Sequence, residues 1–155
     1  MIMEGRPPRL SRCTMTELVF PNDTNGLGNL MGGKLLYWMD ICAAIVSQRH
    51  AGQVCVTASV DSVELKRPIR QNEVVIVEGW ANRAFRTSME IELVVHAENA
   101  VTHQRRLCNT AFYTFVAIDG SGNPSPMVPV LPETPDEHVR YAAAAERRAQ
   151  RLARR

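Results

Sequence analysis

The apolar positions of this chain recur with a strand's period in some stretches and without interruption in another, and the change marks its elements. Residues Ser88 to His96 alternate. Met89, Ile91, Leu93 and Val95 fall on one side, and Ser88, Glu90, Glu92 and His96 on the other. That is the pattern of a half-buried antiparallel strand whose polar side faces solvent. Leu107 to Ile118 alternates too, with Cys108, Thr110, Phe112, Thr114 and Val116 opposite Leu107, Asn109, Ala111, Tyr113 and Phe115. Leu10–Phe20, Val54–Leu65 and Val74–Asn82 complete a set of strand candidates. The segment Lys34–Gln48 differs: apart from its ends, Asp40 and Ser47, it is apolar at every position. An all-round apolar pattern predicts a buried helix, running to Ala51 and closed by a Gly52 cap. Residues 1–8 carry no pattern and read as disordered. A Pro-rich arm, Pro124 to Pro135, leads to a final helix whose N-cap is Thr134 or Asp136.

The order of elements is strand, buried helix, then four strands. It predicts an α+β fold with one antiparallel sheet wrapped around a long central helix and a C-terminal helical tail. Residues 8–123 form the domain, and 124–155 the arm and basic helix. One sheet around one helix leaves the helix's far face and the sheet's edges open, which implies an oligomer, a dimer at the least.

At 155 residues, 45% hydrophobic and 22% charged, the chain suits a single globular domain. No stretch is long enough to cross a bilayer. MIMEGRPPRLSR lacks an apolar signal core, so the expected location is the cytoplasm. Cys13, Cys42, Cys55 and Cys108 form no CxxC pair and cluster with no His, which points to reduced, packed thiols and no metal site. The net charge of +2 is unevenly spread: residues 140–155 hold six Arg and one Glu, so the body is mildly acidic. A basic tail suggests nucleic acid, but no aromatic stacking platform accompanies it. A solvated or subunit-packing helix is the expectation, with no nucleic-acid partner.

Asp40 is the chemical anomaly. A carboxylate in an apolar helix is costly unless it is paired, hydrogen-bonded or used. A turn-rich entry, DTNGLGNLMGG, feeds that helix and places Gly32 and Gly33 at its start. Free N–H groups there suit a carbonyl oxygen that becomes an oxyanion. On the residues alone, Asp40 is either a structural carboxylate or a general base for a water, and the glycines either a plain turn or an oxyanion site. Gly33 and Asp40 are seven residues apart, roughly 10 Å along a helix axis. One helix therefore cannot bring both to one reacting carbon. If they act together they come from two chains, with Asn29 of one facing Asp40 of the other. Thr57, Ser59 and Asp61 share one side of a strand, either lining the cleft or facing solvent.

The run Asn29-Leu30-Met31-Gly32-Gly33, then Leu35-Leu36 and Met39-Asp40, resembles the hotdog-fold acyl-CoA thioesterases, in their cytosolic acyl-CoA hydrolase group. The likeness continues through VTASVDSVELKRPI (Val56–Ile69), RTSMEI (Arg86–Ile91), AEN (Ala97–Asn99) and FVAIDGSGNPSPMVPVLPET (Phe115–Thr134), and covers roughly residues 10–150. It implies a hotdog fold and hydrolysis of an acyl-CoA thioester to free acid and coenzyme A. It implies Asn29 and Asp40 as catalytic residues, and Arg86, Thr87 and Ser88 as contacts to coenzyme A. It also implies a hexamer built as a trimer of dimers. No cofactor is expected, coenzyme A being part of the substrate. Where relatives often have His before the Gly pair, this chain has Met31, so any substrate contact made by that His is absent. No GxSxG elbow is present, so a serine acyl-enzyme is not indicated. Asp40 could activate water or attack the thioester itself. A non-catalytic acyl-CoA binding or sensing protein is the alternative. Arg67, Arg83 and Arg86 flank turns and are either solvated surface charges or partners for the phosphates of coenzyme A.

Overall fold

The computed structural model describes residues 3–155. A strand β1 (Cys13–Leu18) is followed by a long helix α1 (Gly32–Ala51). Then come β2 (Cys55–Val60), β3 (Val74–Ala84), β4 (Ser88–Glu98), β5 (Arg105–Ala117) and a last helix α2 (Pro135–Ala153). The strands form one antiparallel sheet in the order β1-β3-β4-β5-β2. The predicted strands are all present. The second is shorter than its Val/Thr-rich run suggests, ending at Val60 where residues 61–67 leave the sheet.

The sheet curls around α1. Leu35, Met39, Cys42, Ala43 and Val46 of the helix pack with Val77, Leu93, Ala111 and Phe115 of the strands in one apolar cluster. The closest approach is at Gly79: a Cβ there would sit 3.1 Å from Cys42 Sγ and 3.2 Å from Leu93 Cδ2, so the helix rests directly on the strand backbone. Gly52 ends the helix in the left-handed region, at φ 65°.

Two expectations change. The helix is not buried on every face. Leu36, Asp40, Ile41, Ala44 and Ile45 are half-buried and Tyr37 is 57% exposed, so the face turned away from the sheet is apolar and open. Nor is the N-terminal segment disordered where it is described. Arg6 pairs with Val130, and its guanidinium donates to the carbonyls of Arg49 and His50, each at 3.1 Å. Residues 1 and 2 lie outside the described residues.

The second helix covers the sheet's outer face. It begins with a reciprocal capping box: the Glu137 amide donates to Thr134 Oγ1 at 3.1 Å, and the Thr134 amide to Glu137 Oε2 at 3.3 Å. Its arginines are committed to the sheet. Arg147 donates two bonds to Glu90, at 3.0 and 2.7 Å, and lies 3.7 Å over the Phe112 ring. Arg151 reaches Asp61 Oδ2 at 3.0 Å. Arg140 lies over Trp80 and Arg83 over Tyr141, at 4.7 and 4.0 Å. Glu90, expected on a solvent face, is fully buried. Its strand face became an interior once α2 lay over it. Asn82 Nδ2 adds a bond to Glu90 Oε1 at 2.9 Å. Such a buried carboxylate needs its partners to offset desolvation.

Two predictions follow from this packing. Glu90→Ala leaves Arg147 facing the sheet without its counter-charge and lowers unfolding free energy by about 3 kcal/mol, near the low end for breaking a buried pair. Urea denaturation checks it, and a loss below about 0.5 kcal/mol, the size of an ordinary surface substitution, would show that the pair does not hold α2. His50 is fully buried, with Nε2 2.8 Å from the Val128 carbonyl. Burial pushes its pKa below the ordinary 6.5. Below that value the unfolded chain takes up a proton that the folded chain refuses, so stability falls as pH drops from about 6.5 towards the lower folded pKa. Thermal melts across this window are expected to show that slope, and His50→Gln to remove most of it.

Candidate active site

The entry to α1 is built by turn chemistry. Asn25 Oδ1 accepts from the Leu27 amide at 2.9 Å and the Asn29 amide at 3.3 Å, and Gly28 takes φ +76°. The Leu30 amide donates to the Ile69 carbonyl at 2.6 Å and the Met31 amide to the Asp23 carbonyl at 2.9 Å, which ties the turn to the loop before β3. Asp23 is buried; its carboxylate accepts from the Phe20 amide at 2.9 Å, and Lys34 lies 3.7 Å away. The turn is thus held from both sides, and Asn29 has a set position.

The helix then starts without a side-chain cap. Met31 is the N-cap residue and makes no capping hydrogen bond among the described residues. The amides of Lys34 and Leu35 both donate to the Met31 carbonyl, at 3.0 and 3.1 Å. The amides of Gly32 and Gly33 are left at the positive end of the helix. A Cβ at Gly33 would meet open space, whereas one at Gly32 would lie 2.7 Å from Leu65 Cδ1. Gly32 is therefore set against a side chain and Gly33 faces outward.

Asp40 lies two helical turns on, on the open face. Thr57 Oγ1 of β2 donates to Asp40 Oδ1 at 2.7 Å, which orients the carboxylate and leaves Oδ2 without a partner among the described residues. These two residues line a shallow apolar cavity with Gly33, Leu36, Val60 and Tyr113. The Tyr113 hydroxyl donates to the Leu36 carbonyl at 3.3 Å. Burial, and then the nearby Asp40 charge, push the phenol up to about 12, so it stays a neutral donor at ordinary pH.

Asn29 and Gly32 line a different cavity, with Leu30, Leu35, Ile69 and Asn109. The predicted residues thus divide within one chain: Asn29 with Gly32 on one side, Asp40 with Gly33 and Thr57 on the other. Arg86, Thr87 and Ser88 lie elsewhere again, in the β3–β4 turn. There the carbonyls of Arg86 and Thr87 accept from Met127 and Ala117, each at 3.0 Å, and the Arg86 side chain is exposed. Of the other arginines considered for phosphate, Arg83 donates to the Tyr141 carbonyl at 3.2 Å and Arg67 to the Leu107 carbonyl at 3.4 Å. Arg83 is a helix anchor rather than a free cation. Asp61 pairs with Arg151 and so leaves the candidate cleft, while Thr57 joins it. Asn109 and Tyr113 were not singled out from the sequence. Their signal was a polar group in register with Ala111 and Phe115 on the inner side of β5.

A curled antiparallel sheet around one long helix defines a hotdog fold, and here it carries a turn-bound asparagine and a helical aspartate on separate cavities. Comparison with known proteins agrees. A model of the thioesterase superfamily matches residues 27–102, the stretch that carries Asn29, the α1 entry, Asp40 and Thr57. The chain is 39% identical over 148 residues to the uncharacterized acyl-CoA thioester hydrolase YkhA of Bacillus subtilis (strain 168), across 96% of this chain and 86% of that one. A crystal structure of an apo hexameric acyl-CoA thioesterase matches with a TM-score of 0.94 and 39% identity, covering 98% and 97% of the two chains. The acyl-CoA hydrolase of Staphylococcus aureus, in complex with butyryl coenzyme A, coenzyme A and coenzyme A disulfide, matches at 0.89 and 33% identity, covering 96% and 90%. Variants of that enzyme with an aspartate, an asparagine or a threonine changed to alanine match as well. Several mammalian thioesterases among the relatives are longer, the chain spanning 23–39% of their length. The chain belongs to the hotdog-fold thioesterase superfamily, in its acyl-CoA thioester hydrolase group.

Proposed function

We propose that the protein hydrolyses acyl-CoA thioesters to a free carboxylic acid and coenzyme A, in sites each shared by two chains. One observation carries the reading. Asp40, oriented by Thr57, sits on an open apolar helix face, while Asn29 and the Gly32 amide open onto another cavity. Pairing two copies through that face brings one chain's Asp40 to the other's Asn29. The edge strand β2 favours the same pairing: Val60 is 45% exposed there and lines one cavity with Tyr37. The hexameric state of the matched thioesterase supports a trimer of such dimers for this chain.

In the proposed step, Asp40 Oδ2 takes a proton from a water whose oxygen attacks the thioester carbonyl carbon. The negative charge that develops on the carbonyl oxygen is held by the Gly32 or Gly33 amide at the helix start. Asn29 orients the water or the carbonyl. The C–S bond then breaks, the thiolate of coenzyme A leaves, and the proton held by Asp40 returns to it. Base and oxyanion donors come from the protein, so the reaction needs no metal or organic cofactor. Arg86, with the turn at Thr87 and Ser88, suits the phosphates of coenzyme A. The relatives include a cytosolic acyl coenzyme A thioester hydrolase of Mus musculus, which supports a cytosolic location; no helix among the described residues is long and apolar enough to cross a membrane. Arg147 and Arg151 are spent on Glu90 and Asp61, which disfavours the basic tail as a nucleic-acid site.

Asp40→Asn is expected to lower kcat on butyryl-CoA by roughly 10² to 10⁴ with the oligomer intact, the effect of losing a general base. Thr57→Val is expected to lower it by roughly ten- to hundred-fold, through one lost charge-assisted hydrogen bond. Released thiol is the readout. A folded Asp40→Asn protein with full activity contradicts the mechanism, and tight coenzyme A binding without turnover by the unaltered protein favours the sensing alternative.

A further inference from the structure

The cavity beside Asn29 has a polar wall for which the proposed reaction has no use. Its volume is about 220 Å³. An apolar cavity of roughly 150 Å³ takes benzene, so this one has room for roughly six to eight non-hydrogen atoms. Leu30, Leu35 and Ile69 give it apolar walls, and Lys66 and Arg67 line it as well. Opposite them lies Asn109, on the inner side of β5, only 9% exposed. Its Nδ2 is turned to Met39 Sδ at 3.9 Å, the outer limit for a sulfur acceptor. Its Oδ1 is buried and accepts no hydrogen bond among the described residues, and the same is true of Asn29 Oδ1. A buried carboxamide left without a partner is costly, and at the wall of a cavity a ligand hydroxyl can pair with it.

The position of the cavity says which part of the substrate reaches it. Gly32 and Asn29 line it, so an acyl chain whose carbonyl is held at the helix start continues into it. The turn assigned to coenzyme A is remote in the same chain: Ser88 pairs with Val116, seven residues along β5 from Asn109, roughly 23 Å at the rise of a strand. Resting on the hydrolase reading above, we infer that this pocket selects short acyl groups bearing a hydroxyl, which pairs with the Asn109 carboxamide. Asn109 is then a specificity-determining residue for the acyl part. An unsubstituted chain of the same length leaves the carboxamide unpaired and is turned over less well.

The test compares kcat/KM for 3-hydroxybutyryl-CoA, each enantiomer separately, with that for butyryl-CoA, by thiol release. The unaltered full-length protein is expected to favour one hydroxylated enantiomer by roughly ten-fold or more, the factor that one buried hydrogen bond supplies. In Asn109→Leu the ratio is expected to fall to about one or invert. Each ratio is internal to one enzyme, so a general loss of activity does not affect it, and Asn109→Ala gives a second reading if the leucine variant fails to fold. Turnover of butyryl-CoA with no preference, or with a preference that Asn109→Leu leaves unchanged, overturns this inference alone. No turnover of any of these thioesters overturns the hydrolase reading together with it.

Discussion

A twenty-residue helix that is apolar around most of its circumference presents more surface than one five-stranded sheet can cover. That constraint shapes the rest of the molecule. The sheet takes the face that carries Leu35, Met39, Cys42, Ala43 and Val46, and Gly79 lets the helix settle directly onto a strand. The opposite face is left with Leu36, Tyr37, Ile41, Ala44 and Ile45 in contact with water, and Asp40 among them. At roughly 25 cal/mol per Å², covering this surface is a strong drive to association. The carboxylate sits in the middle of the surface that a second copy would cover. On the proposed mechanism, assembly and chemistry are linked through one helix face: covering it would dry the environment of Asp40, and a drier site strengthens each polar contact made there.

The outer side of the sheet follows a different logic. Glu90 would be untenable beneath α2 without Arg147, and Arg147 and Arg151 would be a loose basic tail without Glu90 and Asp61. The helix adheres through guanidinium groups laid on aromatic rings as much as through apolar burial, since Ala144 is its one fully buried side chain among the described residues. Asp61 lies just past the end of β2, the strand that carries Thr57. The C-terminal helix thus braces the chain close to the strand that orients Asp40.

Much of this was legible in the sequence, where local pattern decides structure. Alternation at 88–96 and 107–118 placed two strands, Gly52 ended α1, and Thr134, one of two N-cap candidates, began α2. The spacing of Gly33 and Asp40 along one helix already argued that the two, if they act together, come from two chains. What escaped depends on neighbours remote in sequence. Alternation shows that Glu90 and Met89 point opposite ways, but not that α2 arrives over Glu90. The apolar run 34–48 suggested burial on all sides, because a helix awaiting a second copy has the same composition as one inside a single chain. Arg6 looked like part of a loose end, yet it fastens the arm at Val130 to the end of α1. Asn109 is conspicuous only once Ala111 and Phe115 are known to face the helix, and Thr57 is set apart from Ser59 and Asp61 only once β2 is seen to lie beside Asp40.

The central claim is that each site takes Asn29 from one chain and Asp40 from another. The direct measurement is complementation between two inactive variants, Asn29→Ala and Asp40→Ala, refolded or co-expressed together and assayed by thiol release from butyryl-CoA. In a two-fold dimer the mixed pair contains one site with both residues intact and one with neither, so random mixing is predicted to restore about a quarter of the unaltered activity. If both residues served the same chain's site, every site in the mixture would lack one of them. Activity that stays at the level of the separate variants, in a mixture shown to contain mixed dimers, would contradict the account.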